Sequence, residues 1–305
     1  MRTHYWLGIN GFSQYNLENE TAHLLAATIK QRLGDLFELD INPGLNLYYM
    51  PNATVYNSNR FYVLPTLKWY MFDHTTFSSG YIYEKTTYPD YNLDNQTNGM
   101  QAKISQELSL YTYLEVSGVI QNKTYPERYL YEGISGGSPT YRNDIRKDTE
   151  NFVQLALSQN LTAKTGFDLV YNYGQLNSNE NYFYWGPEQY EGNNTTIGDE
   201  RIITDYRSYI NNKYGADFFT GFVDNSSLLM GASYTTKDYS GQLAKDENDK
   251  IRQPDQKRQD SQTFISVSWS KDILLLRYSY EINNSNAALY NYTNSIVSLS
   301  IRYLF

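Results

Sequence analysis

The sequence predicts an all-β chain folded as a transmembrane antiparallel up-and-down β-barrel of about 14 strands, and three observations carry that prediction. Apolar and polar residues alternate over segment after segment, the connectors sort into a short set and a long set, and no apolar run approaches the roughly 20 residues of a membrane helix. The closing segment illustrates the alternation: Val297, Leu299, Ile301, Tyr303 and Phe305 fall on one face, and Ser298, Ser300 and Arg302 on the other. An apolar row opposite a row that holds a charge needs oil on one side and water on the other, which a strand in a membrane barrel meets along its whole length.

Composition agrees. Of 305 residues, 32 are Tyr, 40% are hydrophobic and only 19% are charged, and the mean hydropathy is -0.62. A polar yet Tyr-rich chain suits a water-filled barrel, because only alternate residues touch lipid and the membrane interfaces favour Tyr and Trp. The absence of Cys removes disulfides, thiol catalysis and thiolate metal sites together. A net charge of -8 argues against nucleic acid as a partner. Met1 runs almost at once into Tyr5-Trp6-Leu7, with no signal peptide, so the expectation is a mature barrel or an excised barrel domain with an added start Met, one domain over 1–305.

Candidate strands lie near 4–16, 21–33, 36–49, 60–72, 75–88, 97–108, 111–124, 149–161, 163–177, 203–222, 226–238, 260–270, 272–283 and 293–305, with boundaries that leave 12 or 16 strands open. The tight connectors are Gly34-Asp35, Asp73-His74, Ser109-Leu110, Thr162, Asp224-Asn225 and Lys271-Asp272. The long ones include 50–59, 125–148, 178–202 and 239–259, rich in Asn, Asp, Gly and Pro. Short turns at one end and long loops at the other are the sidedness of an outer-membrane barrel, periplasm and exterior respectively. Two prolines test the scheme. Pro43 falls on the outer row of its strand and Pro65 lies within the 60–72 strand, so each strand is expected to be bulged or distorted there.

The faces separate well along most strands. Phe37, Leu39, Ile41, Leu45 and Leu47 oppose Glu38, Asp40, Asn42 and Asn46, and Leu274, Leu276, Tyr278, Tyr280 and Ile282 oppose Leu275, Arg277, Ser279 and Glu281. The inward row then holds the basic residues Lys30, Arg32, Arg60, Lys68, Lys103, Arg207, Lys213, Arg277 and Arg302. The acidic members are Glu38, Asp40, Glu84, Glu107, Glu115, Glu150, Asp168, Asp217 and Glu281. Fourteen tilted strands enclose a cylinder roughly 25 Å across, with an opening of about 12–15 Å once side chains are subtracted. Arg277 and Arg302 would close against Lys30, Arg60 and Lys68, with Glu107, Glu115, Glu150 and Asp168 across from them. Such charges either set up a transverse field that orients dipolar solutes or pair with neighbours and keep the wall wet.

The loops hold two further features. Tyr182-Phe183-Tyr184-Trp185 lies in the 178–202 connector, where solvation does not select four aromatics in a row; it suits a gate, a sugar-stacking surface, a partner contact or rim packing. Lys245 to Lys250 reads as a solvated charged loop rather than a calcium site, because the glycine turn and distal Glu of a calcium loop are missing. Three His, at 4, 23 and 74, are the only candidate imidazole bases, and only His23 falls near the exterior. No nucleophile motif accompanies it, so no enzyme, cofactor or metal is expected.

Two resemblances bear on function. The terminal Phe305 with Tyr303 third from the end resembles the insertion signal of bacterial outer-membrane proteins. It implies an outer-membrane location, lipid and lipopolysaccharide as surroundings, and recognition of the last strand by the barrel assembly machinery. The stretch from Leu276 through Asn284, Asn286 and Leu289 to Tyr292, followed by the last strand, resembles the ends of barrels that follow periplasmic tetratricopeptide-repeat domains, a group similar to surface-lipoprotein assembly modifiers and exopolysaccharide exporters. That likeness implies a periplasmic domain or partner and a polymer or polypeptide cargo. The chain as a whole resembles monomeric fourteen-stranded porins, so the first expectation is a channel for passive diffusion of small hydrophilic solutes or ions. The alternative is the barrel of an export or assembly machine.

Overall fold

The computed structural model describes residues 2–10, 20–51, 53–109, 111–135, 138–185, 190–191, 194–195, 200–223, 225–248, 250–252 and 255–301. The wall is a 14-stranded sheet of β1 (Arg2–Asn10), β2 (Glu20–Leu33), β3 (Phe37–Tyr49), β4 (Ser58–Phe72), β5 (Thr75–Thr87), β6 (Asn95–Ser109), β7 (Thr112–Ser135), β8 (Ser138–Asn160) and β9 (Thr165–Ser178). It continues after a long connector with β14 (Tyr209–Gly221), β15 (Ser226–Leu243), β16 (Lys257–Lys271), β17 (Leu274–Ser285) and β18 (Tyr292–Ile301). Each strand is bonded to the next wall strand in sequence, the up-and-down order that tight turns enforce. Four short strands, β10 (Tyr182–Trp185), β11 (Tyr190–Glu191), β12 (Asn194–Thr195) and β13 (Glu200–Ile203), form two nested antiparallel pairs inside the connector. No helix is long and apolar enough to cross a membrane among the described residues.

The chain divides into two compact units. One comprises Met1–Ile104, Gly118–Asn151 and Ser178–Glu180, the other Ser105–Ser117, Phe152–Asn177 and Asn181–Phe305. In both, the period of two decides the faces. Met100 and Leu108 are 66% and 61% exposed and Val297 is 70% exposed, as are lesser fractions of Leu25, Phe61, Leu67, Trp69, Leu169, Tyr214, Ile265 and Leu276, all on the outer row. Exposed apolar side chains in alternate positions on strand after strand are a lipid-facing surface turned outward, not a soluble exterior. The only buried apolar cluster among the described residues joins Ile203 and Ile251, with Tyr206 and Leu243 against it, and it sits among the loops rather than on the wall.

The short turns at 34–36, 73–74 and 272–273 stand where the sequence places them, with left-handed backbone at Gly34, Asn225 and Asp272, residues that tolerate it; Leu110 and Asp224 of the other expected turns lie outside the described residues. The prolines distort less than expected. Pro65 pairs with Ile41 and Pro43 with Val63, while the opposite ladders skip these positions, between Ala26–Gly44 and Ile29–Ile41 on one side and Val63–Tyr83 and Thr66–Gly80 on the other. The register before and after each gap is the same, so each proline opens the ladder without a bulge.

Three boundaries differ from expectation. Residues 125–148 are expected as a long loop, but 125–135 and 138–148 are strand: β7 and β8 form a hairpin that continues past the wall, with Tyr131 stacked on Tyr141 at 5.1 Å. Its outer row is apolar at Leu114, Val116 and Ile120 and polar at Asn122 and Thr124, so lipid no longer sets the pattern beyond. Composition cannot tell such a strand from a loop. Thr124 still reaches the carbonyl of Gln96 at 3.4 Å, next to the start of β6 at Asn95. Pro126 therefore lies on the edge past β6, where no ladder hydrogen is required. Residues 203–222 are not one strand, because a turn at 204–207 separates β13 from β14. Described strand at the start of the chain spans Arg2–Asn10 rather than 4–16, and the rest of that segment lies outside the described residues.

Candidate functional site

The polar row of the first unit is built from β2 to β7. At its short-turn end Lys30 stands opposite Asp40, and Glu38 opposite Lys68. The Lys68 ammonium lies 2.6 Å from Asp40 and 3.0 Å from Glu38, and Lys30 lies 3.7 Å from Asp40 and 3.8 Å from Glu38. Arg32 faces Glu38 in register. Further along, Arg60 meets Glu84 at 2.5 Å. Of the two readings of these charges, the geometry in this unit is the pairing one. A basic sector of Lys30, Lys68 and Arg60 is neutralised where it stands.

Above the lysine network the same face opens into a recess of about 950 Å³. Its walls include Asn46, Arg60, Tyr62, Glu84, Asn95 and Gln121. Tyr62 stands opposite Gly44, and a Cβ on Gly44 would lie 2.1 Å from the Tyr62 ring; glycine here lets the phenol lie flat across β3. The Arg60 guanidinium sits 5.7 Å from the same ring centroid. Replacing Gly44 by Ala therefore forces the ring off the wall, and we expect a loss of about 1–3 kcal/mol in urea unfolding, the usual range for overpacking, with Tyr62→Ala restoring tolerance of Ala at 44. Gln121 donates to Glu150 at 2.5 Å and Gln101 to Thr66 at 3.2 Å, so amide side chains bridge strand to strand.

The remaining predicted inward residues divide between the units. Lys103 is on β6 of the first. In the second, Glu107 is on β6, Glu115 accepts from the Tyr113 hydroxyl at 3.1 Å, and Asp168 stands directly opposite Asp217. Lys213 faces Asn172, Arg277 faces Ser268 and Ser298, and Glu281 accepts from Gln262 and Tyr292. Arg207 is corrected: it belongs to the 204–207 turn and not to a wall strand. Arg302, Tyr303 and Phe305 lie outside the described residues, as do the side chains of Phe183, Tyr184 and Trp185. Tyr182 is described and stacks on Tyr206 at 4.4 Å, a rim contact.

Sequence reasoning missed two arginine clusters near the loop end. In the first unit Arg146 forks onto Asp148 at 2.5 and 3.1 Å, meets Glu180 at 3.1 Å, and lies over the Tyr125 ring at 4.1 Å. Arg128 adds a second contact to Glu180 at 3.3 Å, and the Ser178 hydroxyl donates to Asp148. In the second unit Arg258 forks onto Asp260, donates to Gln242 at 3.0 Å, and lies 3.2 Å over Tyr290 and 4.5 Å over Tyr239. The shared signal is Arg-x-Asp on a strand, which puts opposite charges on one face. It was hidden because 125–148 and 239–259 read as loops.

Two loop groups have shifted protonation. Burial pushes the Tyr206 hydroxyl up to about 12, reinforced by the neighbouring Tyr290 and Tyr182. The folded state thus holds this proton more tightly than an unfolded chain, so its contribution is present below about pH 10 and is lost as pH rises toward 12. Thermal melts across that window should show a steeper fall for the wild type than for Tyr206→Phe; equal slopes would dismiss the assignment. The backbone N–H groups of Lys250 and Asn248 hold Asp246 below the usual carboxylate range. That carboxylate closes its own loop.

The chain resembles known proteins in two ways. A family described as Surface lipoprotein assembly modifier matches residues 41–201. No curated protein matches. Among solved structures, a loop-deleted OmpT from Vibrio cholerae shares 8% identity over 92% of this chain and 89% of its own, with a TM-score of 0.45. OccK5 (OpdH) from Pseudomonas aeruginosa shares 9% over 99% and 96%, with a TM-score of 0.37. The β domain of the Bordetella autotransporter BrkA shares 8% over 92% and 95%, with a TM-score of 0.33.

Proposed function

Because this chain belongs to the surface lipoprotein assembly modifier family of bacterial outer-membrane barrels, we propose that it is the barrel of a machine that brings lipoproteins to the cell surface. The family match over 41–201 carries this reading in preference to the passive porin expected from alternation alone. The polar rows line the lumen, and cargo moves along a wet wall without any covalent bond being made or broken. A periplasmic domain or partner presents the cargo, and the barrel assembly machinery inserts the chain by its last strand. Paired charges on the first unit's wall suit a conduit for varied polypeptides, because a neutral wall neither repels nor traps a charged segment.

The test is removal of the protein from its own cells and protease shaving of intact cells. We expect lipoproteins that were cleaved at the surface to become protected, and to be exposed again on re-expression. Unchanged shaving, together with steady ohmic conductance of the refolded protein in a planar bilayer, would return the chain to the porin class.

A further inference from the structure

We infer that the recess between β3 and β7 is a binding site for extended polypeptide backbone, read through side-chain amides rather than through cargo side chains. The inference rests on the proposed lipoprotein cargo and names the chemical feature of it that the wall grips. Two observations carry it. Amide side chains come from three strands of the first unit: Asn46 on β3, Asn95 and Gln101 on β6, and Gln121 on β7. The side-chain oxygens of Asn46 and Asn95 are buried and have no protein hydrogen-bond partner, and Asn95 is only 5% exposed. A buried acceptor left unpaired is costly. A turn of either amide toward the recess would let an incoming peptide N–H satisfy it.

The chemistry of the other walls narrows the ligand. Arg60 and Glu84 satisfy each other, and Lys123 at the edge of the recess lies by the Tyr125 ring, so the site selects against a basic segment and takes an uncharged one. The volume, about 950 Å³, admits a short extended segment. A glycan is the nearest competitor, since amides also bind hydroxyls. Tyr62, one of three tyrosines on the lining, has one face laid on Gly44 and Arg60 over its ring, which leaves a sugar only Tyr48 and Tyr88, and the maltotetraose arm below tests them. Backbone recognition also suits a conduit, because the amide group is the one feature that every polypeptide repeats.

The test uses the whole chain folded in detergent and three probes. These are a dye-labelled uncharged Gly-Ala-Ser decapeptide, the same peptide N-methylated along its backbone, and maltotetraose. Fluorescence anisotropy should show binding of the plain peptide, at least tenfold weaker binding of the N-methylated one, and no competition by maltotetraose. Asn46→Leu and Asn95→Leu together should weaken the plain peptide at least tenfold. Asn46→Asp and Asn95→Asp, which keep the acceptors, should bind it better than the Leu pair. The heat-modified gel shift of a folded barrel verifies each variant before it is read. Equal binding of both peptides, no binding of the plain peptide, or displacement by maltotetraose would overturn the inference. Surface shaving of cells that carry the Leu pair separates the two failures. Normal dependence of lipoprotein display on the wild-type protein, with no peptide binding, leaves the function standing and removes the site; loss of that dependence removes the function, whatever the peptide does.

Discussion

Arg146→Leu should lower the unfolding free energy by about 3–5 kcal/mol, the cost of stranding buried carboxylates. Asp148 and Glu180 both accept from this guanidinium. Arg146 and Asp148 are 4% and 3% exposed, so solvent cannot take over the lost contacts. Arg128 still reaches Glu180, which leaves Asp148 as the orphan, with the Ser178 hydroxyl its remaining donor. The companion Asp148→Asn should cost less, because an amide beside an arginine that keeps Glu180 strands no charge. Arg146→Lys preserves charge but loses the fork and the stacking on Tyr125, and should fall between. Urea unfolding in lipid vesicles, followed by tryptophan fluorescence, orders the three. Equal stability of Arg146→Leu and wild type would show that water reaches the pair.

The second large effect is expected at Arg258. Its guanidinium joins β16 to β15 through Gln242 and lies against Tyr290 of the 286–291 connector. Leu in its place removes the fork onto Asp260 and the support under two rings at once, about 3 kcal/mol for breaking a buried pair with a smaller cation–π share. The visible consequence is local. The 244–256 loop holds Lys245, Lys250 and Arg252, and trypsin should cut there in folded Arg258→Leu well before it cuts the wild type. Simultaneous loss of the heat-modified gel shift and the loop would instead show that the cluster holds the wall and not the rim.

How much was legible in the sequence follows from what each residue's surroundings are. Alternation placed Lys30, Glu38, Asp40, Arg60, Lys68 and Glu84 on one face, because in a membrane wall the period of two is enforced by lipid on every strand. The tight turns at Gly34 and Asp272 were legible for the same kind of reason, a backbone angle that few residues accept. Beyond the bilayer that enforcement ends. Between Tyr125 and Asp148, Pro126 and the glycines read as loop, and the described strand is held by partners such as Tyr131 with Tyr141 and Arg146 with Asp148 that no periodicity announces. Arg207 was misplaced by the same blindness, being counted as wall when Ile203 ends one strand and Tyr209 begins another. The recess was invisible for a different reason: it depends on Gly44 and Tyr62 meeting across register, a long-range fact.

The strict alternation along the wall also bears on how such a chain travels. Nowhere do its apolar residues gather into the continuous run that an inner-membrane translocon retains. Leu45 and Leu47 are separated by Asn46, and the short apolar run Ile273-Leu274-Leu275-Leu276 ends at Arg277. Unpaired, the chain is polar enough to pass through the first membrane as cargo itself. It becomes hydrophobic only when neighbouring strands pair and turn every second side chain to the same side.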